Sequence, residues 1–327
     1  MPAFAKNGAR KLRDILLGPA PFSGPRAAED LTALRLCRDG VELVRVKRPN
    51  GEGPRVTACE FRPASDVSDL RAVLMRLATD YNLKHARCTL ALEPGEYTLV
   101  VTDAPAVPKE EMRAAVRWRV KDLLDFPVDE ATLDVFDAPA GAAGQSANPV
   151  YVVAARNGAI RRVAELCNDT GINLDVIDVP ELAQRNVAAL CPEDQLGLAL
   201  VVFEPDHGLI TLTRNGDLYM SRRIDFGTDA LSRSEDATRY FEPITLELQR
   251  SLDYYDSHFR AAPITHLIVA LPVAVPGLVE SLTANLTLKV SELRLAERLG
   301  CDAAFATLLE ERCTMTLGAA LREEEAE

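Results

Sequence analysis

Several residue patterns that mark enzymes and metalloproteins are missing from this 327-residue sequence. The seven cysteines are scattered, their number is odd, and no two of them form a Cys-x-x-Cys pair. The four histidines are isolated, so no metal-ligand spacing occurs and we expect no metal site. The chain also lacks a Gly-x-Ser-x-Gly elbow, a Walker loop and a His-Glu-x-x-His motif, which leaves an unrelated enzyme little support. The scattered cysteines indicate buried, reduced thiols in a cytoplasm.

Long apolar runs and excess positive charge are missing as well. No run approaches the roughly 20 apolar residues that span a bilayer, and the start lacks the apolar core of a secretory signal. Lys and Arg total 37 against 49 Asp and Glu, and the net charge of −12 argues against nucleic acid as a principal partner. A chain of this length predicts two domains or one large subdivided domain.

The most informative stretch is 109–137, which predicts an amphipathic helix, a stop and a strand. Pro108 precedes the helix and Glu110 and Glu111 open it, as the positive end of a helix prefers. Phe126-Pro127 ends it, because the residue before a proline is pushed out of helical geometry. The apolar stripe at helical spacing consists of Met112, Val116, Val120, Leu123 and Leu124.

One side of this predicted helix is basic. Arg113, Arg117 and Lys121 recur every four residues, which fits either a solvated charged face or a docking face for another chain. Trp118, the only tryptophan, lies beside them. A half-buried core position is the more common fate of a tryptophan, and an anchor in a partner's pocket is the alternative. With Phe126, these four residues are the candidates for partner binding.

The rest of the chain predicts a duplicated α/β plan. Asp39-Gly40 and Asn215-Gly216 each lie between two apolar runs, which is a strong hairpin signal. Each predicted hairpin is followed by a helix and a buried strand. Residues 97–177 follow a β-α-β-β-α-β order, which is that of a ferredoxin-like α+β unit inserted into the first half.

These patterns divide the chain into five parts. Residues 1–26 form a basic leader, for which a flexible segment and a weak membrane-surface helix are both open. Residues 27–94 with 178–192 form the first α/β subdomain, 95–177 the inserted subdomain and 193–322 the second α/β subdomain. Residues 323–327 are an acidic tail.

The plan as a whole resembles the actin-like ATPases, and several motifs resemble the PilM family of type IV pilus assembly proteins. The most specific is Val116-Arg117-Trp118 through Leu124-Asp125-Phe126-Pro127, followed by Leu133-Asp134-Val135-Phe136. The likeness covers about 31–322 and is closest to the branch that serves mannose-sensitive haemagglutinin pili. Further support comes from Leu248-Gln249-Arg250-Ser251-Leu252-Asp253-Tyr254-Tyr255, Pro276-Gly277-Leu278 and Leu317-Gly318-Ala319-Ala320-Leu321-Arg322.

The resemblance implies a cytoplasmic protein at the inner face of the inner membrane. Its partner there would be the cytoplasmic N-terminal peptide of a bitopic, PilN-like membrane protein, with a pilus motor ATPase as a further candidate. In the family that peptide lies in a groove between the first subdomain and the inserted unit. The implied role is that of a structural adaptor.

The loops that would bind a nucleotide depart from the pattern of the fold. An Asp-x-Gly turn lets backbone N–H groups approach phosphate while its carboxylate holds magnesium. Alignment with the family places Arg35 at the Asp, Cys37 at the Gly and Glu42 at a Lys. The second hairpin is preceded by Val202-Phe203-Glu204-Pro205, and Ala270-Leu271-Pro272 replaces the glycines of the adenosine loop. The short connection 227–241 also indicates a reduced second half.

We therefore predict a relative without a nucleotide cofactor and without ATPase activity. The degenerate positions are Arg35, Cys37, Glu42, Val202, Glu204, Leu271 and Pro272. The alternative hypothesis is a working actin-like ATP-binding switch with unusual loops.

Overall fold

The computed structural model describes residues 30–49, 53–141, 148–233, 237–259 and 261–322. The predicted leader 1–26 and acidic tail 323–327 lie outside the described residues. Within the described part, no helix is long and apolar enough to cross a membrane.

The first lobe is a five-stranded sheet in the order β3-β2-β1-β4-β8. Strands β1 and β2 form the predicted hairpin, but Arg38 and Asp39 make the turn and Gly40 is already paired with Cys37. Gly40 is required because a Cβ there would lie 2.2 Å from the Arg62 carbonyl oxygen. Helices α1 and α3 cover the outer face of this sheet. The elements are β1 (Leu31–Cys37), β2 (Gly40–Lys47), β3 (Arg55–Pro63), α1 (Val67–Asp80), β4 (Arg87–Ala91), α3 (Asn157–Thr170) and β8 (Leu174–Asp178).

The second lobe repeats the plan with a sheet in the order β11-β10-β9-β12-β13. The β10–β11 turn has positive φ at both Asn215 and Gly216, as a two-residue hairpin requires. Strand β9 is buried along its whole length, as its continuous apolar sequence predicts. The elements are β9 (Leu198–Phe203), β10 (Gly208–Arg214), β11 (Asp217–Ile224), α5 (Thr228–Arg233), α6 (Phe241–His258), β12 (His266–Ala270), α7 (Leu278–Asn285) and β13 (Lys289–Glu292).

Two helices fill the space between the sheets. Helix α4 (Pro180–Ala188) follows the first lobe yet packs on β9, β10 and β11 of the second. Helix α9 (Thr314–Ala320), which follows α8 (Ala303–Glu311), packs on β1, β2 and β4 of the first lobe. Every residue of α9 is buried, and the central core draws side chains from both sheets and both helices.

The inserted unit is smaller than the predicted 95–177. Its elements follow the predicted order, but its antiparallel sheet contains only three strands, in the order β5-β7-β6. Helix α3 packs in the first-lobe core and β8 pairs with β4, so both belong to the first lobe. The elements of the unit are β5 (Tyr97–Asp103), α2 (Met112–Val120), β6 (Ala131–Asp137) and β7 (Pro149–Arg156).

Helix α2 is also shorter than predicted. A 3-10 turn at Lys109–Glu111 precedes it and the α-helix ends at Val120, six residues before Phe126. Val116 and Val120 are buried against the inserted sheet as the apolar stripe predicts, whereas Leu123 lies beyond the helix and is exposed. The apolar residues keep helical spacing past the end of the helix at Val120, so their pattern predicts a helix that is too long.

The close crossing of α4 and α9 depends on Gly318. A Cβ at this position would lie 2.1 Å from the Ala183 carbonyl oxygen. We predict that Gly318→Ala lowers the free energy of unfolding by about 3 kcal/mol, since overpacking forces the backbone to move. Gly158→Ala in α3 is the matched control, because nothing lies within 4 Å of its Cβ position. Equal urea midpoints for the two variants would contradict this crossing.

Candidate functional site

A buried guanidinium joins the two lobes at one of the positions predicted to be degenerate. Arg35 in β1 is only 4% exposed. Its Nε donates to Oε1 of Glu93 at 2.8 Å, just after β4 in the same lobe. Its Nη1 donates to Oε2 of Glu204 at 2.7 Å, just after β9 in the second lobe. The arginine therefore spans the cleft between the lobes. We call Arg35, Glu93 and Glu204 the interlobe cluster.

The carboxylates keep this guanidinium charged despite its burial. Burial by itself would lower the pKa of Arg35, but the charges of Glu204 and Glu93 outweigh it and raise the pKa well above its usual value. A buried charge of this kind is costly unless it is paired and hydrogen-bonded, and here both requirements are met.

Glu42 extends the cluster into the first lobe. It lies opposite Arg35 in the β1–β2 register and is buried. Its carboxylate accepts hydrogen bonds from the Cys37 thiol at 3.2 Å and from the Thr316 hydroxyl in α9. Burial raises the pKa of Glu42, and the nearby charge of Arg35 opposes that rise. Burial and then Glu42 raise the pKa of the Cys37 thiol, so this cysteine is not an activated nucleophile.

A tight turn fixes the position of Glu204. The backbone N–H of Glu204 donates to the His207 carbonyl at 2.8 Å, and the Thr228 N–H donates to the Glu204 carbonyl at 2.9 Å. A Cβ at Gly227 would lie 2.0 Å from that same carbonyl oxygen, so only glycine permits this approach. The turn between β9 and β10 therefore packs against the chain entering α5.

The structure brings together four of the seven positions predicted to be degenerate, namely Arg35, Cys37, Glu42 and Glu204. Their polar groups bond to one another or to neighbouring protein groups. Val202 lies in the buried strand β9, and Leu271 and Pro272 follow β12 in the second lobe. Among the described residues, no group of His, Cys, Asp and Glu could hold a metal ion.

Among the predicted partner-binding residues, two arginines make internal contacts. The Arg113 guanidinium lies 3.0 Å from Oδ1 of the buried Asp134. Arg117 donates to the carbonyls of Val128 and Ala131. Both are half-buried and tie α2 to the start of β6, so the two arginines are not part of a fully solvated charged face.

The three other candidates divide between surface and core. Trp118 is 72% exposed, so the more common core position does not apply to it, and Lys121 is also exposed. Phe126 is 7% exposed and lies in the core of the inserted unit, with the Arg156 guanidinium 4.2 Å from its ring centroid. Phe126 is therefore not available to a partner, because it fills the space beneath the inserted sheet.

Sequence reasoning missed two long-range polar contacts. One holds the inserted unit to α4, and the other joins the end of β8 to the chain after α9. The Tyr97 hydroxyl in β5 donates to Oε2 of Glu181 in α4 at 2.6 Å. Nη1 of Arg322 lies 3.2 Å from Oδ2 of Asp178, and both residues are buried. Burial raises the pKa of Glu181 and that of Tyr97. Each contact joins residues far apart in the chain, so no local motif could reveal it.

Comparison with known proteins establishes the fold. No family model and no curated protein matches the sequence. Among solved structures, the chain is similar to the PilM-PilN type IV pilus biogenesis complex, with a TM-score of 0.71 and 22% identity over 91% of this chain and 98% of that chain. It is also similar to a Bacteroides thetaiotaomicron protein of actin-like ATPase fold and unknown function, with a TM-score of 0.50 and 11% identity over 91% and 97%. The chain thus has the actin-like fold, as the duplicated α/β plan predicted.

The interlobe cluster predicts a large cost for removing one charge. We expect Glu204→Gln to lower the free energy of unfolding by about 3 kcal/mol, because it leaves a buried guanidinium with one carboxylate fewer. The double variant Arg35→Met with Glu204→Leu should cost less than the sum of the two single changes. Asp169→Asn, in an exposed pair with Arg71, is the control and should cost under about 1 kcal/mol. Additive changes in urea unfolding would rule out the coupling.

The raised pKa of Glu181 predicts that the stability of the fold depends on pH. Because its folded pKa is raised above the unfolded value, wild-type stability falls as the pH rises from the unfolded pKa through the folded one. Glu181→Gln removes this dependence while its amide oxygen still accepts from Tyr97. We predict a higher melting temperature for the variant at pH 8 and a smaller difference at pH 5. A difference that does not change with pH would contradict this assignment.

Proposed function

We propose that this chain is a nucleotide-free adaptor of a type IV pilus assembly machine. It is a PilM-like protein closest to MshI, the version that serves mannose-sensitive haemagglutinin pili. It docks the cytoplasmic N-terminal segment of a PilN-like inner-membrane protein and is itself cytoplasmic, peripheral to that membrane. It couples its partners by position rather than by hydrolysis.

The interlobe cluster is the observation that carries this proposal. In an actin-like ATPase two hairpins cradle the phosphates. The corresponding hairpins of this chain are linked by Arg35 and Glu204, with Nη1 of Arg35 2.7 Å from Oε2 of Glu204. A triphosphate at that place would displace this ion pair and meet Glu42, Glu93 and Glu204. Carboxylates beside a desolvated phosphate oppose binding by several kcal/mol.

The partner is inferred from fold likeness and charge together. The chain superposes on a structure that contains PilM with PilN, over nearly the whole of both compared chains. Cytoplasmic tails next to a membrane span are commonly rich in Lys and Arg, and this chain carries a net charge of −12. Trp118 and Lys121 remain the exposed candidates for further contacts, including a pilus motor ATPase.

Calorimetry separates this adaptor from an ATP-binding switch. We expect no saturable heat when ATP or ADP with magnesium is titrated into the purified chain at high micromolar concentration. The same sample should bind a synthetic peptide of the membrane protein's cytoplasmic N-terminus, which shows that the protein is folded and competent.

Saturable, magnesium-dependent ATP binding would overturn the nucleotide-free adaptor and favour the switch. In that case Arg35 and Glu204 must separate when the nucleotide enters. Glu204→Gln should then bind ATP more tightly than the wild-type chain, since one repulsive charge has gone.

A further inference from the structure

The C-terminal segment 300–313 is fastened along β3, an edge strand of the first-lobe sheet. At one end, the Val56 N–H donates to the Gly300 carbonyl at 2.9 Å. At the other end, the guanidinium carbon of Arg312 lies 3.5 Å from the centroid of the Phe61 ring. Between these contacts, helix α8 packs on β3. The segment therefore stays beside the strand from the first contact to the last.

Two cysteines lie together along this contact. Successive side chains of a strand alternate between its faces, so Cys59 lies on the same face of β3 as Phe61. Cys313 directly follows Arg312 in the chain. Both cysteines pack in the central core, where Cys59 is 8% exposed and Cys313 is 0% exposed. Contact with the Cys59 thiol, and then burial, raise the pKa of the Cys313 thiol.

Other thiols of the chain are directed at oxygen atoms instead. Three donate to protein oxygens, namely Cys37 to Glu42, Cys88 to Leu83 and Cys191 to Val187. A buried cysteine of that kind acts as a small apolar side chain with a weak donor. Cys59 and Cys313 differ because the neighbour of each thiol is the other thiol. Contact between cysteines on adjacent elements is the arrangement that a disulfide requires.

Helix α8 controls access to this pair. Of its nine residues only Leu309 is buried, although the helix covers part of β3. Elements with few buried apolar residues open locally at a lower free energy than the core does. Opening of α8 uncovers Cys59, because that residue belongs to the strand beneath the helix. Closure of α8 then returns Cys313 to its position beside Cys59.

We propose that Cys59 and Cys313 form a disulfide by exchange with a small disulfide such as oxidised glutathione. The Cys59 thiolate attacks the small disulfide, releases one glutathione thiolate and becomes a mixed disulfide. The Cys313 thiolate then attacks the Cys59 sulfur and releases the second glutathione thiolate. The two protons of the protein thiols end on the two released glutathiones. One disulfide is thus reduced for each protein disulfide formed.

The new bond would hold the start of α9 against the first-lobe sheet. Cys313 immediately precedes α9, whose Thr316 hydroxyl donates to the buried Glu42 carboxylate. In the reduced chain, packing and side-chain contacts alone keep this segment in place. The bond closes a loop that contains most of the chain, so it restricts the unfolded state and stabilises the fold. Oxidation would therefore fasten the helix that covers the inner face of the first lobe.

Disulfide mapping of the native chain tests the pairing directly. The purified full chain is incubated with oxidised glutathione, its remaining thiols are alkylated in urea, and it is digested without reductant. Mass spectrometry should find the peptide of Cys59 joined to the peptide of Cys313. Cys88 and Cys167 should be alkylated. These two are the internal control, because both are buried in the outer core of the first lobe.

Thermal melting measures the effect of the bond. We expect oxidation to raise the melting temperature of the wild-type chain by about 5 °C, and dithiothreitol to reverse the rise. Cys59→Ala and Cys313→Ala should each lose the rise, whereas Cys88→Ala should keep it. Each variant is compared with its own reduced form, so packing lost in the variant does not enter the comparison.

Four results would overturn this pairing. The first is a native chain whose thiols are all alkylated after incubation with oxidised glutathione. The second is a glutathione adduct on Cys59 that is never displaced by Cys313. The third is a bond from either residue to Cys37 or Cys301 instead. The fourth is a Cys59–Cys313 bond that forms only when glutathione is added in urea, since the folded chain would then not bring the two thiols together.

Discussion

A guanidinium held inside a protein needs carboxylates around it, and this requirement determines how the two lobes of the chain meet. Arg35 takes one partner from its own lobe and one from the other, so neither lobe alone satisfies it. A tight turn fixes the position of Glu204. This turn packs closely against Gly227, where only glycine fits. A side chain of the first lobe thus bridges directly to a carboxylate of the second lobe.

The small size of the inserted unit follows from the position of β8. Because β8 joins the first-lobe sheet, the unit retains three strands and is held to the lobes by specific contacts instead of a continuous sheet. Tyr97 bonds to Glu181, and Phe136 and Tyr151 pack on Leu182 and other apolar residues at the junction. Arg113 and Arg117 of α2 make contacts within the unit, whereas Arg119 of the same helix is exposed.

Local chemistry made much of the fold predictable, and long-range pairing made the rest unpredictable. Both hairpins follow from turn dipeptides, and the buried strand β9 follows from its apolar run. Strands β3 and β13, each at the edge of a sheet, show no clear alternation of apolar and polar residues and were not predicted. Arg35 and Glu204 of the interlobe cluster were singled out as predicted departures from a phosphate loop, but Glu93 was not. The pairing of Arg35 with Glu204 could not be predicted, since the two residues are 169 positions apart and only the closed fold brings them together.

The exchange of inner helices between the lobes has a consequence for synthesis of the chain. The first-lobe sheet begins at Leu31, but the helix that covers its inner face is Thr314–Ala320. The second lobe receives its own inner helix from residues already translated, because α4 precedes β9. On the ribosome, therefore, the second lobe can bury its core first, while the first waits with an open apolar face until α9 has emerged. The first-lobe sheet is therefore synthesised first but is the last to have its inner face covered.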